Sequence, residues 1–401
     1  MNVTNNWRST SSSEAFELIK KFGKNYGIER IADITSLDVT EIPIYIGLRP
    51  RGKTLCVSAG KGLTRIDSIV SAGMESIEID VAENVKQDLY NNSSYNQLEC
   101  NHKIPFSLIP HYSTSRFDED SMVSWLQLTG LKTLKKFYFP AALVSLDKQH
   151  LREPLNTFPW SSNGLASGIT RLDAILSGLY EVIERDAWTC WEYFSRIHSF
   201  PLYSTELSTI RIDSTQNIIN QIKRAGMDLI INPLQTDIGI PVYRCLLLNS
   251  SDQAGAISLG FGCHHNNEIA INRAITEAAQ ARAVYISGAR DDIVIHSIMK
   301  SDEFDSEKFK ENFIPEKFKS ECAEILDPEF AVEDLIKRFD TLGMHEPIIF
   351  DFEDPGPFAV VRVICPSLAP SGGRKGHAHS NHPRIKGFEP RITGVGFLFV
   401  K

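Results

Sequence analysis

A nineteen-residue stretch of this chain occurs twice, and that repeat restricts its architecture more than any other feature. Gly62 to Asp80 reappears as Gly168 to Asp186, with ten of nineteen positions identical. The shared positions include Thr64/Thr170, Asp67/Asp173, Ser71/Ser177, Glu75/Glu181 and Glu78/Glu184. Self-similarity at this level implies a structural unit used more than once. Both copies read as helices. Thr64-x-x-Asp67 and Thr170-x-x-Asp173 resemble capping boxes, with Asp in place of Glu or Gln. Behind each cap the apolar residues keep helical spacing: Ile66, Ile69, Val70, Met74 and Ile77, then Leu172, Ile175, Leu176, Leu179, Tyr180 and Ile183. That is one buried face per helix. Glycines before each cap (Gly60, Gly62, Gly164, Gly168) make the entry turns tight. A looser third copy, Ala270 to Arg282, sets Arg273, Glu277 and Gln280 in the places of Ser71/Glu75/Glu78 and Ser177/Glu181/Glu184.

The retained register carries the chemistry. Glutamates at i and i+3 project two carboxylates in one direction from a helix. A lone pair of this kind is ordinarily a solvated face; three matched sets imply a common task. Facing carboxylates repel unless cations lie between them, and hard oxygen ligands suit Mg²⁺, which keeps waters and phosphate oxygens in its shell. Arg185, Arg273 and Arg282 stand beside the same faces, where they suit phosphate oxygens. The expectation is that the three helices converge on one pocket for divalent metal and nucleotide phosphate.

Composition closes off other classes. The chain has 401 residues, 42% hydrophobic and 23% charged, which is globular. Its net charge of −8 argues against a grip on nucleic acid or on an anionic membrane. No apolar run approaches the ~20 residues of a membrane span, and Met1 to Thr10 lacks a signal peptide's apolar core. Seven scattered cysteines without Cys-x-x-Cys point to a reducing cytoplasm and to no structural zinc. Ser58 to Thr64 looks like a fragment of a P-loop but fails its pattern, since Leu55 takes the opening glycine's place and Gly62 follows Lys61. Lys61 at a helix N-terminus suits a phosphate all the same. His377, His379 and His382 in a Gly-rich tail read as solvated loop, and His264-His265 as part of a turn. Neither Gly-x-Ser-x-Gly nor Gly-x-Gly-x-x-Gly is present.

Along the chain, the pattern predicts an amphipathic helix over 8 to 30 and strands at Ile42 to Gly47 and Leu55 to Ser58. It then predicts a helix near Asp120 to Thr129, a strand at Phe137 to Leu146 and an isolated surface helix over 208 to 225. Strands follow at Leu229 to Asn232, Val242 to Leu248 and Ala256 to Cys263. The third copy's helix ends before Asp291-Asp292. A helix at Ala331 to Leu342 and strands at Ile348 to Asp351 and Phe358 to Val363 complete the pattern. The fold class is α+β, with duplicated helix-sheet units and a largely antiparallel sheet. A single compound domain over 1–401 is expected, with its core about 8–365, a peripheral insertion at 301–325 and a tail at 366–401.

These residues resemble the YcaO family. The resemblance rests on Ser162-Asn163-Gly164 to Gly168 running into Glu181-x-x-Glu184-Arg185, on Ser71-x-x-x-Glu75-x-x-Glu78, and on Thr276-Glu277-x-x-Gln280-x-Arg282, in the family's order. It implies an ATP site without a P-loop and an enzyme that activates peptide backbone amides. In that chemistry the amide oxygen attacks the γ-phosphate and a nucleophile then replaces the phosphorylated oxygen. A neighbouring Cys, Ser or Thr gives an azoline, a sulfide source a thioamide, an amine an amidine. Carried over, Glu75, Glu78, Glu181, Glu184 and Glu277 are magnesium ligands or their immediate support. Arg185, Arg282 and Gln280 contact phosphate; Ser71, Asn163 and Asp173 match nucleotide positions, and Arg8 is the basic N-terminal residue. Two departures stand out: Ile169 replaces the usual Asn, and the ending Gly394 to Lys401 lacks the proline-rich tail of azoline-forming members. The N-terminal portion and Tyr285 to Asp292 look most like members that work with a TfuA-type partner in thioamide formation. The implied substrate is a ribosomally made peptide or protein, bound with help from a TfuA-like or leader-binding protein, and a homodimer is the expected assembly. The competing readings are an azoline-forming cyclodehydratase, a non-catalytic nucleotide-binding accessory protein and a metal-dependent hydrolase.

Overall fold

Each copy of the repeat is a helix entered from a strand. A computed structural model describes residues 8–99, 103–147, 149–154, 157–198, 202–249, 257–290, 306–318, 327–353, 356–370, 382–386, 389–393 and 396–400. His377, His379, Asp291-Asp292 and residues 301–305 and 319–325 of the insertion lie outside the described residues. Arg65–Ala82 and Arg171–His198 are α-helices. Their caps are alike. The Thr64 hydroxyl donates to Asp67 Oδ2 at 2.6 Å and accepts from Asp67 N at 3.2 Å. Thr170 and Asp173 make the same pair of bonds at 2.8 and 3.2 Å. Each box satisfies a terminal N–H and sets a carboxylate at the positive end of the helix dipole. The third helix, Asn267–Ser287, starts at Asn266, whose side chain accepts from Ile269 N at 3.2 Å, and stops at Gly288 with φ +60°.

In chain order the elements are α1 (Ser12–Phe22), β1 (Arg30–Asp33), β2 (Ile44–Leu48), β3 (Val57–Lys61), α2 (Arg65–Ala82), β4 (Asn91–Ser93), β5 (Val123–Gly130) and β6 (Lys136–Pro140). Next come β7 (Leu165–Gly168), α3 (Arg171–His198), β8 (Leu202–Thr205), α4 (Asp213–Arg224), β9 (Asp228–Leu234), β10 (Val242–Leu248), β11 (Ile257–Cys263) and α5 (Asn267–Ser287). The last are α6 (Ser306–Lys310), β12 (Phe313–Glu316), α7 (Pro328–Thr341), β13 (Ile348–Asp351), β14 (Ala359–Ile364), α8 (Pro383–Lys386), β15 (Glu389–Thr393) and β16 (Gly396–Val400). The chain divides into two compact units. One comprises Met1–Arg51, Cys56–Ser76 and Ser195–Leu326; the other Gly52–Leu55, Ile77–Phe194 and Asp327–Lys401. α2 contributes to both.

The first unit holds two three-stranded antiparallel sheets, ordered β1-β2-β3 and β11-β10-β9, and a parallel pair, β8 with β12. Helix α5 packs against both antiparallel sheets, and a single apolar core runs through Ile44, Ile46, Ile231, Cys245, Leu247, Ala274, Ile275 and Ala278. The approach of helix to strand is backbone-close. A Cβ on Gly260 would lie 2.2 Å from Ala274 O and Ala278 N, and one on Gly60 2.1 Å from Ala72 N and Ser68 O. Glycine in the strand and small residues in the helix are what this contact requires. Helix α4 is no isolated surface helix: it buries Thr215, Ile218, Ile219 and Ile222 in that core.

The second unit is built on a sheet ordered β4-β5-β13-β14-β7, with β6 on β5, antiparallel throughout. The helix expected near Asp120–Thr129 is instead strand β5. Its Val123, Trp125, Leu126 and Leu128 are fully buried, and its β-branched and aromatic residues suit a pleated strand paired on both sides. The strand expected to continue to Leu146 ends at Pro140, followed by a 3₁₀ turn, Ala141–Leu143. The middle of α3 is tied to the C-terminal segment. Buried Asp186 accepts from Arg384 Nε at 3.0 Å and Nη2 at 2.6 Å, and from Ala369 N at 2.7 Å. Among the described residues five cysteines are free, and no helix is long and apolar enough to cross a membrane.

Candidate functional site

The three strands that lead into the glutamate-bearing helices, β3, β7 and β11, each lie at the edge of their sheet. An edge strand presents backbone N–H and C=O groups that no neighbouring strand takes. On β3 and β7, side chains from the helices take some of them.

In the first unit the contacts centre on Ala59 of β3. Its N–H donates to Glu75 Oε2 at 3.2 Å, and its carbonyl accepts from Gln280 Nε2 at 3.0 Å. One strand residue thus holds a carboxylate from α2 and an amide from α5 along the same rim. Lys61 projects from the same face of β3 two residues later and forms an ion pair with Glu277, one turn before Gln280 on α5. Both partners keep some access to solvent, with side-chain exposures of 19% and 20%. Lys61 therefore meets a carboxylate from the end of a strand, not from a helix N-terminus. Ser71, one turn before Glu75, is half-buried, as is Arg8 at the start of the described residues. Arg282 is buried, 1% exposed, and its Nε donates to Asp38 Oδ1 at 2.8 Å.

In the second unit Glu78 mirrors Glu75. Its Oε1 accepts from Ser167 N at 2.9 Å and from the Ser167 hydroxyl at 2.7 Å, on the rim of β7 away from β14. Glu184 is buried and pairs with Arg185 Nη2 at 3.3 Å; Arg185 keeps 26% of its side chain exposed. Glu181, one turn earlier on α3, is half-buried. Asp173 is occupied by the cap of α3. Asn163 N donates to Ser161 Oγ at 2.9 Å, while its Oδ1 is buried with no hydrogen-bond partner.

Sequence reasoning missed Arg362. It is a lone cation inside the otherwise apolar β14, 3% exposed, and its Nη2 donates to Leu143 O at 3.0 Å and Ser161 O at 2.6 Å. Burial pushes its guanidinium down to about 10, with the Glu181 charge acting in the opposite direction. An arginine interrupting a run such as Ala359 to Ile364 was the available signal. Asp38, Arg282's partner, gave none, because 244 residues separate the two.

Among the described residues no three His, Cys, Asp or Glu side chains already stand together as a metal cage. The predicted ligands instead hold backbone N–H groups or cations. The donor set nonetheless fits magnesium. It is made of carboxylate oxygens on helices, and Mg²⁺ takes only one or two protein carboxylates beside waters and phosphates. The Lys61–Glu277 pair of the first unit and the Glu184–Arg185 pair of the second each offer a cation suited to phosphate.

The chain's relatives agree with this chemistry. The family model described as YcaO cyclodehydratase, ATP- and Mg²⁺-binding, matches residues 59–369. An uncharacterized protein in the tfuA 3′ region of Rhizobium leguminosarum bv. trifolii is 30% identical over 379 residues, 90% of this chain and 88% of the relative. The solved YcaO structure from Methanopyrus kandleri, bound with AMPPCP and Mg²⁺, superposes with TM-score 0.72 at 21% identity, covering 93% of this chain and 95% of that one. A heterocyclase in complex with substrate and cofactor superposes with TM-score 0.75 at 18% identity, covering 95% of this chain and 55% of that one. The folds are thus shared even where little sequence is. With its family model spanning every one of the five repeat glutamates, the chain belongs to the YcaO family of ATP- and Mg²⁺-binding proteins.

Proposed function

We propose that this chain uses Mg–ATP to phosphorylate a backbone amide oxygen of a ribosomally made peptide or protein, and that a sulfide source then replaces that oxygen to leave a thioamide. The observation that carries the core of this reading is the family match over residues 59–369. The sulfur preference is supported by the relative from the tfuA 3′ region, and a TfuA-like partner is proposed on the same ground. ATP supplies the phosphoryl group that makes the amide oxygen a leaving group. The chain supplies binding and charge compensation, which dominate phosphoryl transfer. Glu75, Glu78, Glu181, Glu184 and Glu277 would hold magnesium directly or through waters. Lys61 would exchange Glu277 for a phosphate oxygen, freeing that carboxylate for the metal. Arg185 and Gln280 would contact phosphate, and buried Arg282 would reach it last, with Asp38 fixing its orientation. Ser71, Asn163, Asp173 and Arg8 would line the nucleotide.

The test is mass spectrometry of a candidate peptide incubated with the protein, ATP, Mg²⁺ and sulfide. A gain matching oxygen-to-sulfur exchange is expected. Loss of water from a Cys-, Ser- or Thr-containing peptide would instead establish the azoline-forming reading, which the cyclodehydratase name of the family favours. Bound ATP with no peptide-dependent phosphate release would establish an accessory protein.

A further inference from the structure

The second unit contains a cleft whose lining, Asn163 apart, takes no part in the roles above. Its cavity volume is about 70 Å³. Its walls are apolar, among them Leu108, Phe139, Leu143, Val182 and Leu368. Its polar lining residues include Ser161, Asn163 and Arg362. Arg362 is 3% exposed, and its Nε and Nη1 groups have no hydrogen-bond partner among the described residues. The Asn163 Oδ1 acceptor is likewise buried and unmatched. Glu181 offsets part of the Arg362 charge, but the buried Nε–H and Nη1–H groups still need an acceptor to compensate their loss of water. Water alone would not need the apolar walls.

The cleft therefore asks for three things at once: an anion for Arg362, an N–H donor for Asn163 and an apolar body for the walls. A peptide residue supplies all three when its own N–H lies near a carboxylate and an apolar side chain. We propose that this cleft is a substrate subsite that binds a peptide carboxylate on Arg362 with an apolar side chain seated between Leu108, Phe139 and Val182. The inference rests on the peptide-modifying reading and names which part of the peptide the enzyme holds. The carboxylate comes from the end of the peptide or from an Asp or Glu side chain; the chemistry at Arg362 is the same.

Calorimetric binding to the full-length protein tests it, using N-acetyl-leucine, N-acetyl-leucinamide, acetate and acetyl-glutamyl-leucinamide as probes. At least one of the two carboxylate probes with an apolar group should bind about tenfold or more tighter than N-acetyl-leucinamide. N-acetyl-leucine as the tighter of the two assigns the chain end, and acetyl-glutamyl-leucinamide assigns a side chain. Leu108→Trp, which fills the cleft and leaves Arg362 in place, should abolish that binding and keep Mg–ATP binding. Arg362→Gln should bring the acids down to the level of the amide. The proposal is overturned if the amide binds as well as both acids, if acetate binds as well as the tighter of the two acids, or if Leu108→Trp binds as wild type does. Failure of wild-type protein to bind Mg–ATP would strike the proposed function instead, so the two outcomes are separable.

Discussion

At the scale of single residues, the glutamates and one histidine make the clearest statements. Glu75→Gln keeps an acceptor for Ala59 N and removes only the charge. Glu184→Gln likewise changes little volume in a buried position. Each variant should fold normally and lose about ten- to hundredfold in Mg²⁺-dependent nucleotide affinity, read by calorimetry with and without chelator. His264 lies in the turn between β11 and α5, buried to 2%, and its Nδ1 accepts from Asn266 N at 2.9 Å. Burial, and then the charges of Arg273 and His265, push its imidazole down to about 2 from 6.5. The unfolded chain takes up a proton below pH 6.5 that the folded chain refuses, so stability falls as pH drops through that point. Between pH 6.5 and 5 the loss should reach about 2 kcal/mol in urea titrations, and His264→Asn, which retains an acceptor, should remove that part of the slope. The glutamate register was legible because a helix repeats its face every three to four residues. The partners of those glutamates were not. Ala59 and Ser167 act through backbone groups, and a backbone N–H has no signature in composition.

At the scale of elements, strand–helix contact decides most. On β3, Gly60 meets the backbone of α2 at Ser68 and Ala72, with no flexible side chain to yield. Gly60→Ala should therefore cost about 3 kcal/mol in a denaturation midpoint. The two capped helices and most strands could be read from the sequence because local signals, Thr-x-x-Asp boxes and alternating apolar residues, agree with the tertiary structure. Where they disagree, context wins. Asp120 to Thr129 carries enough polar residues to mimic a helix, yet Trp125 and Leu128 are needed inside a sheet. Residues 208 to 225 show a helix, but the core that receives it is assembled from β2, β9, β10 and α5, which lie on both sides of it in the chain.

At the scale of the whole molecule, the antiparallel α+β architecture followed from the alternation of strands and helices, while the two discontinuous units did not. Their boundaries cut through α2 and gather segments more than a hundred residues apart, a pairing that no local pattern encodes. The carboxylate of Asp186 shows what such long-range closure entails. It holds both Ala369 and Arg384, so one side chain works as a double stitch across a seam 198 residues long in sequence. Cutting that stitch with Asp186→Asn should cost about 3–5 kcal/mol, since it removes the charge that the buried Arg384 guanidinium meets with two N–H groups. In native-state hydrogen exchange, the amides of Ala369 and Arg384 should open together at one free energy in the unaltered protein. If they opened at different free energies, the seam would be two independent fastenings.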